Sequence, residues 1–590
     1  VTTTADPVES PAGFTHRQIL TILSGLMLGM LLASLDQTIV STSIRTIADD
    51  LHGYSLQAWA TTAYLITATI STPLYGKLSD MFGRKPFFLT AIGLFIIGSL
   101  LCTFATSMYQ LAAFRAFQGL GAGGLMSLAL AIMGDIISPR ERARYQGYFL
   151  AVFGISSVLG PVLGGLLAGQ DTILGITGWR WVFLVNVPLG LLALAVVTRV
   201  LQLPRKPHAT HKIDFGGALV LAIGLVPLLI VAEQGREWGW GSTASVACYL
   251  IGAVGIAGFV AVEKYMDDAA LIPLRIFTNT TFALGVVISF VVGAAMFGGM
   301  LLLPQYLQVV RGAGPTEAGL QMLPMVLGLM IGSIVSGRLI SKTGRYRAFP
   351  VIGATMLTIG LFLLHLLGAD SPLWLAMIFM AFTGFGLGNL LQPMTLALQN
   401  ALPPADMGVS TASATFFRQI GGTLGAAVFL SILFSLLTPN ITEQMQQAAT
   451  DPAYQQAVVA GAQSANPAEA ALAKGLLAHD TSAAGTVLED SSIIQQLDPE
   501  LAKPFQVGFA DSMSTVFLVA TAVAALALLL VLFWKEVPLR MQGGIQASGD
   551  TKAADGAGAL ADTAAQSSAT DLDGSDDEAG GRVRAAAPPA

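Results

Sequence analysis

Three ionisable side chains stand deep inside long apolar stretches of the chain. Asp36 interrupts the run from about residue 19 to 45. At 1.5 Å per residue it lies roughly 25 Å along a helix from the start of that run, at mid-to-outer depth if the helix crosses a bilayer. An ionised carboxylate is costly in such surroundings, and acids placed there line water-filled cavities or proton paths. Low dielectric favours its protonated form and a nearby cation its charged form. A proton and a cationic substrate can then compete for one carboxylate, which is exchange chemistry in its simplest form. Arg115 lies about 10 Å into the run from 109 to 136, and a buried guanidinium must point at a cavity, an acid or backbone carbonyls. Arg418, in Phe417-Arg418-Gln419-Ile420-Gly421-Gly422, is a second deep cation, able to partner an acid or contact substrate.

Two further groups carry chemistry of another kind. Asp80 and Arg84 occupy a short loop, and Asp135 ends a run on the same side, so a charge-assisted Arg84–Asp135 pair is expected. Gly154, Gly160, Pro161, Gly164 and Gly165 thin one helix and kink it. Such a helix can support rocking and seal a pathway against ion leakage.

These residues need elements to hold them, and composition says which. Of 590 residues, 54% are hydrophobic and 11% charged, with a mean hydropathy of +0.67; soluble domains carry about 25% charged residues. The excess apolar sequence must face lipid, so the fold class is an all-α polytopic membrane protein. A soluble enzyme, a disulfide scaffold and a nucleic-acid binder are excluded; the net charge of −6 offers no basic footprint. Cys102 and Cys248 both lie in apolar runs, no metal-ligand spacing occurs, and no phosphate loop implies a nucleotide or other cofactor.

With roughly 20 apolar residues per crossing, runs fall near 19–45, 56–79, 87–106, 109–136, 145–169, 180–201, 213–233, 244–263, 279–304, 316–340, 348–368, 372–397, 408–437 and 511–534, about fourteen helices. Short loops on one side hold Arg84, Lys85, Arg140, Arg142, Arg144, Arg205, Lys206, Lys212, Lys264, Arg275, Arg338, Lys342, Arg345 and Arg347; the other side holds Arg45, Arg180, Arg236 and Arg311. That bias of about four to one places both termini in the cytoplasm. The first helix reads as an uncleaved anchor. The organisation expected is a cytoplasmic 1–18, a six-helix half over 19–201, two linker helices over 202–263, and a second half over 264–437 and 510–534. An external insertion with short helices fills 438–509, and a disordered cytoplasmic tail 535–590. His365 reads as a lone interfacial residue, Trp238 and Trp240 as an aromatic belt, and Met322 and Met325 as packing or pocket-lining residues.

A faint repeat supports two related halves. Residues 76–84 (Gly-Lys-Leu-Ser-Asp-Met-Phe-Gly-Arg) and 337–345 (Gly-Arg-Leu-Ile-Ser-Lys-Thr-Gly-Arg) share glycine at the first and eighth places, Leu at the third and Arg at the ninth. Ser341 replaces Asp80 in the second copy.

The first copy, through Gly76, Leu78, Asp80, Gly83, Arg84 and Lys85, resembles the loop signature of the major facilitator superfamily. Leu111, Arg115, Gln118, Gly119 and Gly121 are similar to its helix-four motif, and Gly160-Pro161 with Gly164-Gly165 to its helix-five antiporter motif. Leu35-Asp36-Gln37-Thr38, and Trp179-Arg180-Trp181 with Phe183, Asn186 and Pro188, resemble the fourteen-helix drug:proton antiporter branch. The chain departs from those patterns at Met81, Ser41 and Arg45. The resemblance implies two pseudo-symmetric six-helix halves plus two extra helices, in a monomer of the cell (inner or plasma) membrane. It implies proton-coupled export of lipophilic, cationic compounds, with Arg115 in proton coupling and the Asp80 loop as a latch between halves. The proton motive force would drive it without a cofactor; its partners would be a small lipophilic substrate, protons and membrane lipid, with no nucleic acid. Export of an endogenous lipid or metabolite on the same fold stays open.

Overall fold

The computed structural model describes residues 16–52, 57–202, 214–478 and 491–540. The first fifteen residues, Arg205, Lys206, Lys212 and the tail from 541 onward therefore lie outside the described residues. The chain folds into helices in the order α1 (His16–Asp50), α2 (Gln57–Phe82), α3 (Arg84–Thr103), α4 (Met108–Ile136) and α5 (Pro139–Ala168). A two-residue-strand hairpin, β1 (Thr172–Ile173) and β2 (Ile176–Thr177), leads to α6 (Arg180–Leu184) and α7 (Asn186–Val200), which form one span. Then come α8 (Phe215–Trp238), α9 (Thr243–Met266) and α10 (Thr280–Gln305), which ends in a π-helical turn over Tyr306–Val310. The second half continues with α11 (Pro315–Gln321), α12 (Leu323–Thr343), α13 (Ala348–His365), α14 (Leu373–Ala401) and α15 (Met407–Ala448). Last are α16 (Pro452–Gly461), α17 (Pro467–Leu477) and α18 (Pro499–Leu532).

Local chemistry sets the helix ends. Side-chain oxygens of Ser107, Ser138, Asp214, Ser242, Asn279 and Asp498 accept the first free amides of α4, α5, α8, α9, α10 and α18. Gly83 separates α2 from α3 at φ 98°, a backbone conformation that a side chain resists. Among the described residues twelve spans are long and apolar enough to cross a membrane. Two of the fourteen expected runs fall short for different reasons. In α8 the part of the apolar stretch that lies among the described residues is Gly216–Ala232, shorter than the eighteen residues of a full crossing. In α2, threonine and serine take the place of aliphatic residues, and Thr69, Ser71 and Thr72 satisfy their hydroxyls on the helix's own carbonyls.

The repeat seen in the loops extends to the packing. In the first half α2 packs on α4, α3 on α4, α1 on α5, and both α1 and α3 on α7. The same scheme returns as α12 on α14, α13 on α14, α10 on α15, and both α10 and α13 on α18. Small residues bring the central pairs close: Gly119 and Gly123 of α4 lie against the carbonyls of Tyr64 and Ala68, as Gly384 and Gly388 of α14 lie against those of Met325 and Leu329. Each half encloses its own apolar core. The linker pair α8–α9 crosses at Gly224 and Gly255, and α8 also rests on α2 and α15, so it touches both halves.

Two expected boundaries move. Helices α15 and α18 continue as far as Ala448 and back to Pro499, so 438–448 and 499–509 are helix extensions rather than insertion. Between them α16, α17 and a 3-10 turn (Ser491–Gln496) bury Tyr454, Val458 and Leu472 in the core that also holds Leu501 and Phe505. The tail's first six residues are ordered rather than disordered: Tyr346 and Arg347 donate their amides to Glu536, and Asn400 donates to the Pro538 carbonyl. His365 is not alone, since its Nδ1 lies 2.8 Å from the Ser514 hydroxyl on α18. Trp238 and Trp240 are partly exposed, Trp240 donating to Ser431. Met325 is buried in the second-half core, with Met322 packed against it.

The halves meet along α5–α12 and α2–α15, joined by α4–α15 and α5–α14 contacts. At Gly76 the approach is tight: a Cβ there would run into Ala412 and the Gly408 carbonyl across the seam. Replacing Gly76 by leucine should therefore spread the halves at this end. A cysteine placed beside the seam in a Cys102→Ser/Cys248→Ser background should become reactive to an impermeant thiol reagent, and unchanged labelling would show that α2 and α15 are not held so closely.

Candidate functional site

Asp36 and Arg115 meet inside the first half. Arg115 Nη1 lies 2.6 Å from Asp36 Oδ2, and both side chains are no more than 1% exposed. The other carboxylate oxygen accepts from Gln118 Nε2 at 2.9 Å and from Asn186 Nδ2 at 2.7 Å. Arg115 in turn donates to the Ala60 carbonyl and to Gln118 Oε1, and stacks 4.1 Å from the centre of the Tyr64 ring. Gln118 also donates to Ser99 at 2.7 Å. Helices α1, α2, α3, α4 and α7 thus converge on one buried carboxylate. The pair is charge-neutral and hydrogen-bonded on every side, the condition under which buried charges are tolerated. Both carboxylate oxygens of Asp36 are engaged, so a cationic ligand would have to compete with Arg115 for it.

A second constellation closes the seam at the helix ends near Asp80. Asp80 accepts from the amides of Gly408 and Val409, at the start of α15, at 3.2 and 2.9 Å. Arg84 binds Asp80 at 2.6 Å and Asp135 at 2.7 Å, and donates to Ser79. A negative side chain at a helix N-terminus also complements the helix dipole. The related seam between α5 and α12 uses opposite polarity. There Arg140 donates to the carbonyls of Ser341 and Lys342 at the C-terminal end of α12. Ser341 is the residue that stands where the first repeat has Asp80, and the loss of that acid is offset by a guanidinium reaching back from α5. Between the two seams Arg142 donates to Gln399 and to the carbonyls of Gly134 and Ile137, while Gln399 donates to Thr411.

The remaining predicted residues separate by role. Lys85 donates to the Thr198 carbonyl near the end of α7, within the first half, and takes no part in the seam. Gly160 and Gly164 seat α5 on Thr38 and Thr42 of α1; Gly154 faces Val326 of α12; Pro161 lies beside Gly319; Gly165 has open space around it. Arg418 sits about three turns into α15. Among the described residues its guanidinium has no hydrogen-bond acceptor, acid or ring partner.

The fold and these sites can be set beside known proteins. The model of the Major Facilitator Superfamily matches residues 26–426. This chain belongs to that superfamily. It is 35% identical to an uncharacterized MFS-type transporter of Mycobacterium tuberculosis, over 88% of this chain and 70% of the relative. It is also 35% identical to Multidrug resistance protein 3 of Bacillus subtilis, over 72% and 81%. The fold resembles that of the proton:xylose symporter XylE, with a TM-score of 0.55 and 16% identity over 91% of this chain and 99% of that one. It is therefore a multi-pass membrane transporter with the superfamily's fold, not an enzyme.

Within this transporter the sequence reading missed Asn186, Gln118 and Ser99 as partners of Asp36, and Arg140, Arg142 and Gln399 as seam residues. Gln118 and Asn186 carried a usable signal, an amide inside an apolar run. Gln399 meets Arg142 across 257 positions of sequence, and no local pattern announces that.

Two outcomes follow. Removing one member of the Asp36–Arg115 pair should destabilise the fold by about 3–5 kcal/mol, and neutralising both should recover most of the loss; unfolding of Asp36→Asn, Arg115→Gln and the double variant in nanodiscs measures this. Asp80→Asn and Arg140→Ala should each weaken closure at the seam, and additive effects of the two would show that the seams act independently. Distance distributions between spin labels on α4 and α14 would register both.

Proposed function

We propose that this transporter is a proton-coupled antiporter that exports lipophilic small molecules by alternating access. The observation that carries the reading is the saturated Asp36–Arg115 cluster and its position two residues from Thr38. Protonating Asp36 removes the charge that Arg115, Gln118 and Asn186 converge on, so the tie from α1 to α4 and α7 loosens. Thr38 of α1 seats Gly160 of α5 and donates to the Ser156 carbonyl, and α5 in turn packs on α12. A proton at Asp36 is thereby connected through packed elements to the α5–α12 seam.

The Lys and Arg bias of the short loops supports a cytoplasmic Asp80 end, with both termini on that side of the cell membrane. Closure at that end would then correspond to an outward-facing molecule, in which Asp36 takes its proton from outside and releases it inside after the halves rock. The proton gradient supplies the energy, no cofactor is needed, and one chain suffices, because both halves and both seams lie within it. Multidrug transporters among its relatives favour drug-like cargo. The resemblance implies a cationic cargo; with both oxygens of Asp36 engaged by Arg115, Gln118 and Asn186, recognition of the cargo's charge falls to another residue.

Reconstitution tests the coupling. In proteoliposomes an imposed pH gradient should drive accumulation of lipophilic fluorophores. Asp36→Asn should reduce gradient-driven uptake to the level of empty liposomes while leaving gradient-free exchange of cargo intact. Full gradient-driven uptake by that variant would remove Asp36 from the coupling.

A further inference from the structure

We infer that the cargo site contains Arg418 as its anchoring charge and selects lipophilic organic anions, carboxylates or sulfonates, over cations. This rests on the export reading above and names the class of compound exported. The placement of Arg418 comes from the faces of α15 that are already occupied. Gly421 and Gly425 pack against Phe290 and Ala294 of α10. Phe416 lies in the cluster that joins α15 to α8, with Phe417 and Ile420 packed against it. Thr411 faces the other half: it accepts from Gln399, which also donates to the Leu130 carbonyl of α4. Arg418 lies seven residues after Thr411 and seven before Gly425. Its backbone lies against Gly293 of α10 and its side chain is only partly buried, at the border between the stripe that packs on α10 and the stripe that faces the other half.

The charges around it do not cancel. Among the described residues Asp36 is the acid placed within the spans of the two halves away from helix ends, and Arg115 neutralises it at 2.6 Å. Asp511 lies where α18 runs out beside α15, and accepts from Gln444. Arg418 itself is half-buried and without an acceptor among the described residues. A guanidinium held away from bulk water without a counter-charge is costly, and an anionic ligand supplies both the charge and the planar acceptor pair that the fork is built to take. A lipophilic cation brought to the same place would add a like charge. Neighbouring Gln419 offers a buried Oε1 with no donor among the described residues, an acceptor for a hydroxyl or amide elsewhere on the cargo.

The test uses two probes of opposite charge, 8-anilinonaphthalene-1-sulfonate and ethidium, with the full chain in nanodiscs and empty nanodiscs subtracted. The wild-type protein should bind the sulfonate about ten-fold or more tightly than ethidium, and Arg418→Gln should lose about that factor for the sulfonate while keeping or gaining affinity for ethidium. Arg418→Lys, which keeps the charge and the fold but not the fork, should fall between. Tighter binding of ethidium by the wild type, or equal sulfonate affinity in wild type and Arg418→Gln, would overturn the assignment, and the wild-type comparison holds even if a variant fails to fold. Gradient-driven uptake in proteoliposomes separates the two readings. Arg418-dependent sulfonate binding without uptake of either probe sinks proton-driven export and leaves the site standing. Uptake of ethidium without sulfonate binding sinks the site and leaves export standing.

Discussion

A full charge in the middle of an apolar bundle must find its opposite, and in this protein that requirement organises the first half. Asp36 and Arg115 are 79 residues apart in sequence and in direct contact in space. Each is too costly to bury alone, so α1 and α4 are fixed in register by the pair. Gln118, Asn186 and Ser99 then fix α3 and α7 to the same point. The apolar packing that surrounds them is non-directional and would tolerate sliding; the polar cluster would not. It is at once the most specific contact of the half and the one most sensitive to a single proton.

The two seams show how a duplicated scaffold can solve one problem twice with different chemistry. Closure needs a polar group at the end of one helix to reach the unsatisfied backbone of another. At α2–α15 the group is an acid and the backbone is an N-terminus. At α5–α12 it is a base and a C-terminus. Both exploit the same property of helix ends, four unpaired groups at each terminus, and neither requires the two halves to match residue for residue. The linker pair α8–α9 fits this scheme as an addition on the periphery, touching both halves through α8 without entering either core.

Much of this was legible in the sequence. The spans, the two halves and the deep positions of Asp36, Arg115 and Arg418 followed from apolar run length and from the rarity of charge within it. The faint loop repeat pointed to a symmetry that the packing of all twelve helices displays. What stayed hidden was pairing across long separations, because depth along a helix does not say which face a residue occupies. A lone His365 was misread for that reason, and the partners that engage both oxygens of Asp36 went unseen. The ends of α15 and α18 were missed on different grounds. Segments such as Ile441-Thr442-Glu443-Gln444 are helical yet polar, and a ruler that counts apolar residues stops where lipid stops rather than where the helix does.

That last feature has a mechanical side. Helix α15 is 42 residues long, a rod of about 63 Å, roughly twice the thickness of a bilayer core. Its first turn is gripped by Asp80, and its far turns run beside α18, to which Asn440 and Gln444 are bonded. Gln495 pins the 3-10 turn to the carbonyl of Gln308 at the end of α10. Among the described residues the cap built from α16 and α17 is thus bolted to the second half. When that half tilts, a small swing at the gripped end becomes a larger sweep of the cap above the opposite mouth, like the tip of an oar.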